Sequence, residues 1–119
     1  MPKKILIIDD ETMLTELLSD HFSAAGYLTY TANSGSDALT LLHVQPDLIL
    51  LDIYLQDMDG MTLCRQIRDH VICPILFLTA RVTEQDKING LQSGGDDYIT
   101  KPFSPSEMVA RVKAHLSRY

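Results

Sequence analysis

The sequence predicts a single doubly wound α/β domain of five βα units, on three observations. Short aliphatic runs at Lys4 to Ile8, Leu48 to Leu51, Pro74 to Leu78 and, more briefly, Tyr98-Ile99 are too continuous for half-exposed strands and read as strands buried on both faces. The stretches between them carry apolar residues at helical spacing, and short βα units joined by helical crossovers require a parallel sheet with right-handed connections. A length of 119 residues leaves room for one such domain and no second.

The first strand is Lys4 to Ile8, ending in Asp9-Asp10. Met13, Leu14, Leu17, Leu18 and Phe22 then predict an amphipathic helix, with Gly26 placed to end it in a left-handed conformation. Tyr27 to Thr31 alternates and reads as a strand near a sheet edge. Ser34 and Asp37 form a capping pair for a helix carrying Ala38, Leu41 and Leu42, closed by Pro46. Leu48 to Leu51 is the third strand and stops at Asp52; a loop through Gly60 leads to a helix with Met61, Cys64, Ile67 and Val71 on one face. The fourth strand ends at Thr79. Thr83 and Asp86 open a fourth helix whose apolar face, Ile88 and Leu91, is thin, and Gly94-Gly95 ends it; so little burial predicts the most easily moved helix. After Tyr98 to Lys101, Ser104-Pro105-Ser106-Glu107 supplies an N-cap, a proline at the first helical position and a capping box, and Met108, Val109, Val112 and Leu116 supply the buried side.

Composition narrows the function. A net charge of -6 repels a phosphate backbone and argues against direct nucleic-acid binding by this segment. No apolar run approaches the ~20 residues of a membrane span, and Met1 to Lys4 leads into a strand rather than a signal sequence, which predicts a cytoplasmic domain. Cys64 and Cys73 read as free thiols.

If the strands are adjacent and parallel, Asp9, Asp10, Asp52, Thr79 and Lys101 share one sheet edge, where open α/β sheets bind ligands. Two of those carboxylates about 4 Å apart repel by about 4 kcal/mol at an effective dielectric of 20, so cations must compensate. Lys101 is one; Mg2+ fits as another, because it uses one or two carboxylates, keeps waters and accepts phosphoryl oxygens. Asp52, at the centre, is then the nucleophile for a phosphoryl group, with Lys101 and the Thr79 hydroxyl neutralising its oxygens. Read alone, Asp9-Asp10 is equally an acidic helix cap. His21, His43, His70 and His115 fall in or beside helical patterns and read as surface residues.

Asp9-Asp10-Glu11, Leu50-Leu51-Asp52-Ile53 with Met58-Asp59-Gly60, Leu78-Thr79-Ala80, and Asp96-Asp97-Tyr98-Ile99-Thr100-Lys101-Pro102-Phe103 together resemble the receiver domain of two-component response regulators, over the whole chain. The resemblance implies a flavodoxin-like sheet of order 2-1-3-4-5 with helices on both faces. It implies that Asp52 accepts phosphate from a phosphohistidine of a sensor histidine kinase. It also implies that Asp10, Asp52 and the Tyr54 backbone carbonyl bind Mg2+ with Asp9 acting through water, that Thr79 and Tyr98 form a switch pair, and that Lys101-Pro102 is cis. Tyr54 and Arg81 flank the site and are expected to tune hydrolysis.

The final stretch most resembles receivers attached to winged-helix DNA-binding domains. That likeness implies a homodimer formed on phosphorylation through the fourth helix, fifth strand and fifth helix, with Lys87 pairing with Glu107, Asp97 with Arg111, and Asp96 on the same face. DNA contact would then come only from a C-terminal effector domain beyond Tyr119. The chain departs from the common pattern at Gln56, where proline is usual, and at Gly95, where alanine is usual. Alternatives are an aspartate-nucleophile phosphatase, which would want an acid where Tyr54 stands, a flavodoxin-type nucleotide module, which would want a glycine-rich phosphate loop, and a pseudo-receiver acting only by interaction.

Overall fold

The computed structural model describes residues 2–80 and 83–117, without the side chains at positions 86, 87, 90 and 91. Expectations resting on Arg81, Asp86, Lys87 and Leu91 lie outside these described groups. Strands β1 (Lys4–Ile8), β2 (Leu28–Ala32), β3 (Leu48–Asp52), β4 (Ile75–Thr79) and β5 (Asp97–Thr100) form one parallel sheet of order β2-β1-β3-β4-β5. Between them run α1 (Thr12–Ala24), α2 (Gly35–Thr40) continued by a 3-10 turn (Leu41–Val44), α3 (Gly60–Arg68) and α4 (Glu84–Gln92); α5 (Pro105–Leu116) closes the chain. This is the doubly wound flavodoxin-like architecture that the sequence predicts.

Two cores follow from the alternation of strand side chains. Ile5, Ile7, Leu48, Leu50, Leu76 and Leu78 face Leu18 and Phe22 of α1 and Met108, Val112 and Leu116 of α5. Leu6, Ile8, Ile49, Leu51, Ile75 and Phe77 face the other way, onto Ala38 of α2 and Leu63, Cys64 and Ile67 of α3. Every side chain of β3 and β4 is buried, which is why those segments read as unbroken aliphatic runs, whereas the edge strand β2 is mostly part-exposed.

The caps are where the turn chemistry puts them. Gly26 and Gly94 adopt φ of +96° and +104°, and Ser34 and Ser104 accept the N–H of Asp37 and Glu107 at 3.0 Å each. The Lys101-Pro102 peptide is cis. One expectation fails in α1. Its buried stripe is Thr15, Leu18 and Phe22, while Met13 is 85% and Leu17 45% exposed. Thr15 can be buried because its hydroxyl donates to the Thr12 carbonyl at 2.9 Å, and that turns Met13 and Leu17 into a separate apolar ridge facing solvent. On α4, Ile88 is 42% exposed.

Candidate functional site

Sheet register builds the site. Ile8 pairs with Leu51 and Asp52 with Leu78, so Asp9, Asp52 and Thr79 leave adjacent strands at the same level, and Thr79 pairs with Thr100, just before Lys101. Carboxyl oxygens of Asp9, Asp10 and Asp52 lie within 4.8 Å of one another. Asp9 and Thr79 are fully buried and Asp52 is 5% exposed. The Lys101 ammonium donates to Asp9 at 2.8 Å, to Glu11 at 3.2 Å and to Asp52 at 3.4 Å. Its backbone N–H is bound to the Thr79 carbonyl at 2.7 Å, which fixes the base of that side chain.

The electrostatics follow from this crowding. Burial, then the Asp9 charge, pushes Asp52 up to about 6, against the opposing pull of the Tyr54 N–H and Lys101. Burial works against the Lys101 ammonium, but the hydrogen bond and charge of Asp9, with Asp52 and Glu11, carry its pKa above the ordinary value. One ammonium thus faces three clustered carboxylates and Glu11, and the remaining negative charge is presented by hard oxygen donors. That donor set suits a small divalent cation such as Mg2+. Beside Asp10, a cleft of about 410 Å3 lined by Ile53 to Asp59 gives access from solvent.

The Tyr98 ring packs on Phe77, centroids 5.2 Å apart, at the rim of the core shared with α2 and α3. Asp97 accepts from His115 at 2.9 Å and lies 3.9 Å from Arg111, which also reaches Glu107 at 3.4 Å; within one chain these charges already neutralise one another. Asp96 is engaged inside the molecule: it accepts the Ile75 N–H at 2.8 Å and Arg68 at 2.9 Å. Arg68 further donates to the carbonyls of Gly94, at 2.6 Å, and Cys73, at 2.8 Å, tying α3 to the turns before β4 and β5. His21 and His43 bond to carbonyls of their own helices, and both cysteines are free with thiol pKa values raised chiefly by burial, that of Cys73 to about 11. Sequence reasoning missed Arg68, Asn33 and Asp57, whose partners lie mostly far along the chain; the Asn33 amide donates to the Asp9 carbonyl at 2.9 Å.

Comparison with known proteins gives one consistent result. A family model described as the response regulator receiver domain matches residues 5–113. A two-component response regulator from Clostridium difficile superimposes with a TM-score of 0.94 at 38% identity, covering 98% of this chain and 97% of that one. The BeF3-activated N-terminal receiver domain of Klebsiella pneumoniae RstA gives 0.89 at 33% identity, covering 96% and 98%. DrrB of Thermotoga maritima, described as an OmpR/PhoB homolog, gives 0.90 at 31% identity over 99% of this chain and 54% of its own.

Proposed function

This chain belongs to the response regulator receiver domain family, and from that premise we propose that it is the phosphoacceptor of a two-component system, with Asp52 taking a phosphoryl group from a sensor histidine kinase in a Mg2+-dependent reaction. The observation that carries the reading is the meeting of Asp9, Asp10 and Asp52 within 4.8 Å, with Lys101 bonded to two of them. Asp10, Asp52 and the Tyr54 carbonyl would hold the cation, and Asp9 would act through a water. Bound there, Mg2+ supplies charge neutralisation for the transferring phosphoryl oxygens.

The chain's own residues do the rest. With a pKa of about 6, Asp52 is mostly ionised at neutral pH and so available as a nucleophile. Its carboxylate oxygen attacks phosphorus, the P–N bond to the donor imidazole breaks, and the imidazole leaves with a proton, giving an acyl phosphate. Lys101, already aimed at Asp52, pairs with one phosphoryl oxygen, and the Thr79 hydroxyl meets another. The kinase would dock on the exposed Met13 and Leu17 ridge; beside it Leu14, Leu17, Pro102 and Phe103 help to line a hollow of about 250 Å3 next to Lys101.

Phosphorylation adds nearly two negative charges beside Thr79 and biases α4 and β5, with Tyr98 as the partner in the switch. We read Lys87, Asp96, Asp97, Glu107 and Arg111 as the face of the resulting homodimer, although Asp96 must then act while held by Arg68. The output is read as transcriptional, through a winged-helix domain separate from the receiver domain of residues 1–119, in the cytoplasm. No described helix is long and apolar enough to cross a membrane.

Incubation with Mg2+ and acetyl phosphate tests the central step: intact-protein mass should rise by one phosphoryl group, and the increase should vanish in Asp52→Ala. A gain that survives the substitution, or none in the unaltered protein, refutes it. Beryllofluoride should shift sedimentation toward dimer; an unchanged monomer fraction refutes the dimer.

A further inference from the structure

The loop from Ile53 to Asp59, which carries the Tyr54 carbonyl, contains no proline, yet it is pinned at both neck and tip. At its neck the Gly60 N–H donates to the Ile53 carbonyl at 2.7 Å, and Tyr54 and Asp59 form an isolated antiparallel bridge. At its tip Asp57 reaches across to the first turn of α2, where one carboxylate oxygen accepts the Gly35 N–H at 2.8 Å and the other the Ser36 N–H at 3.0 Å. Both N–H groups belong to the set that a helix start leaves without intrahelical partners. Beside them Met58 fills the space left by Gly35: a Cβ there would lie 2.5 Å from the Met58 Cγ. The Gly35 and Ser36 bonds hold the Asp57 carboxyl below its ordinary range. Two residues before Gly35, Asn33 is bonded to the Asp9 carbonyl. The entry to α2 is therefore tied to the backbone on both sides of the acidic cluster.

We propose, on the reading of Asp10, Asp52 and the Tyr54 carbonyl as a Mg2+ site, that Asp57 is a positioning residue for that site: by bracing the loop against Gly35 and Ser36 it presets the Tyr54 carbonyl and raises Mg2+ affinity. It does not touch the cation or the phosphoryl group. Its effect comes from holding a proline-free loop in the geometry the ligand set needs, as outer partners of metal ligands do.

Magnesium chloride titrated into isotope-labelled protein, read by the amide shifts of Asp10 and Tyr54, gives the dissociation constant without any turnover. In Asp57→Ala it should weaken about tenfold, the low end for loss of an outer-shell partner. Hydrogen exchange at Gly35 and Ser36 should quicken in parallel, and acetyl phosphate labelling should return to the wild-type rate once Mg2+ is saturating. Asp57→Asn removes the charge but keeps an acceptor oxygen, so it should recover most of the affinity. Ser36→Pro keeps the charge and removes one donor in the first helical turn, where proline is tolerated, and should lie in between. Unchanged affinity in Asp57→Ala overturns the brace, as does Asp57→Asn matching Asp57→Ala while Ser36→Pro stays at wild type, which would mean simple charge attraction. Wild-type protein that takes up no Mg2+ would overturn the metal site itself and this inference with it.

Discussion

Replacing Asp52 by asparagine should stabilise the metal-free protein at neutral pH, although it removes the proposed phosphoacceptor. Asp52 sits in the fold with its pKa raised from 3.8 to about 6, first by burial and then by Asp9. A shift of about two units corresponds to about 3 kcal/mol at most, and asparagine keeps an acceptor for the Tyr54 N–H while losing attraction to Lys101, so a gain of about 1–3 kcal/mol is expected. The sign follows from the direction of the shift. Because the folded pKa lies above the unfolded one, ionised Asp52 is a penalty of the folded state that is full above pH 6 and fades as pH falls through 6 toward 3.8. Urea midpoints in EDTA should therefore favour Asp52→Asn at about pH 7.5, with the gap falling to about a third by about pH 4.5. Saturating Mg2+ should cancel most of that gap or reverse it, since a hundredfold excess over the dissociation constant adds about 2.7 kcal/mol to whichever protein binds it. A variant equal to or weaker than wild type in EDTA at about pH 7.5, or a gap that does not change with pH, refutes the reasoning.

Lys101→Met leaves the fully buried Asp9 without its cation and should cost about 3–5 kcal/mol in urea unfolding, part of it restored by Mg2+. Arg68→Ala removes donors to Gly94, Cys73 and Asp96 together, and a loss of about 2 kcal/mol is expected; Arg68→Lys should not restore it, because an ammonium cannot span those acceptors. In Gly60→Ala the added methyl meets the backbone of Asp52 and Ile53, so despite alanine's better helix propensity thermal unfolding should show a loss of about 1–3 kcal/mol, and phosphoryl uptake should slow.

What could be read from residues alone was what strands encode. Leu48 to Asp52 announces both a buried strand and the carboxylate at its end, because a run buried on two faces has no polar side to hide and its termination is abrupt. Caps were equally legible: Ser34, Ser104 and Gly26 act within three residues of themselves. The face of α1 was not, because Thr15 looks polar until its hydroxyl is seen bonding one turn back, and Met13 and Leu17 look buried until that stripe is counted. Arg68 and Asp57 were invisible for a different reason. Each bonds to backbone groups 26 or 22 residues away for Gly94 and Gly35 respectively, and a backbone acceptor or donor leaves no mark on residue identity.

The groups proposed to react, Asp52, Lys101 and Thr79, stand on strand ends whose spacing is fixed by sheet register and two packed cores, so their geometry resists loop variation. The groups expected to tune affinity and to move are held differently: among the described residues, Asp57 ties the Tyr54 loop to α2, and Arg68 ties the turn that follows α4 to α3. Polar ties of this kind are weak enough for a phosphoryl group to rearrange, whereas a core strand is not. Substitutions in the Asp57 brace should accordingly change cation affinity with little effect on unfolding, and substitutions in β3 the reverse. Equal changes in both quantities for Asp57→Ala would show that loop and core unfold as one unit.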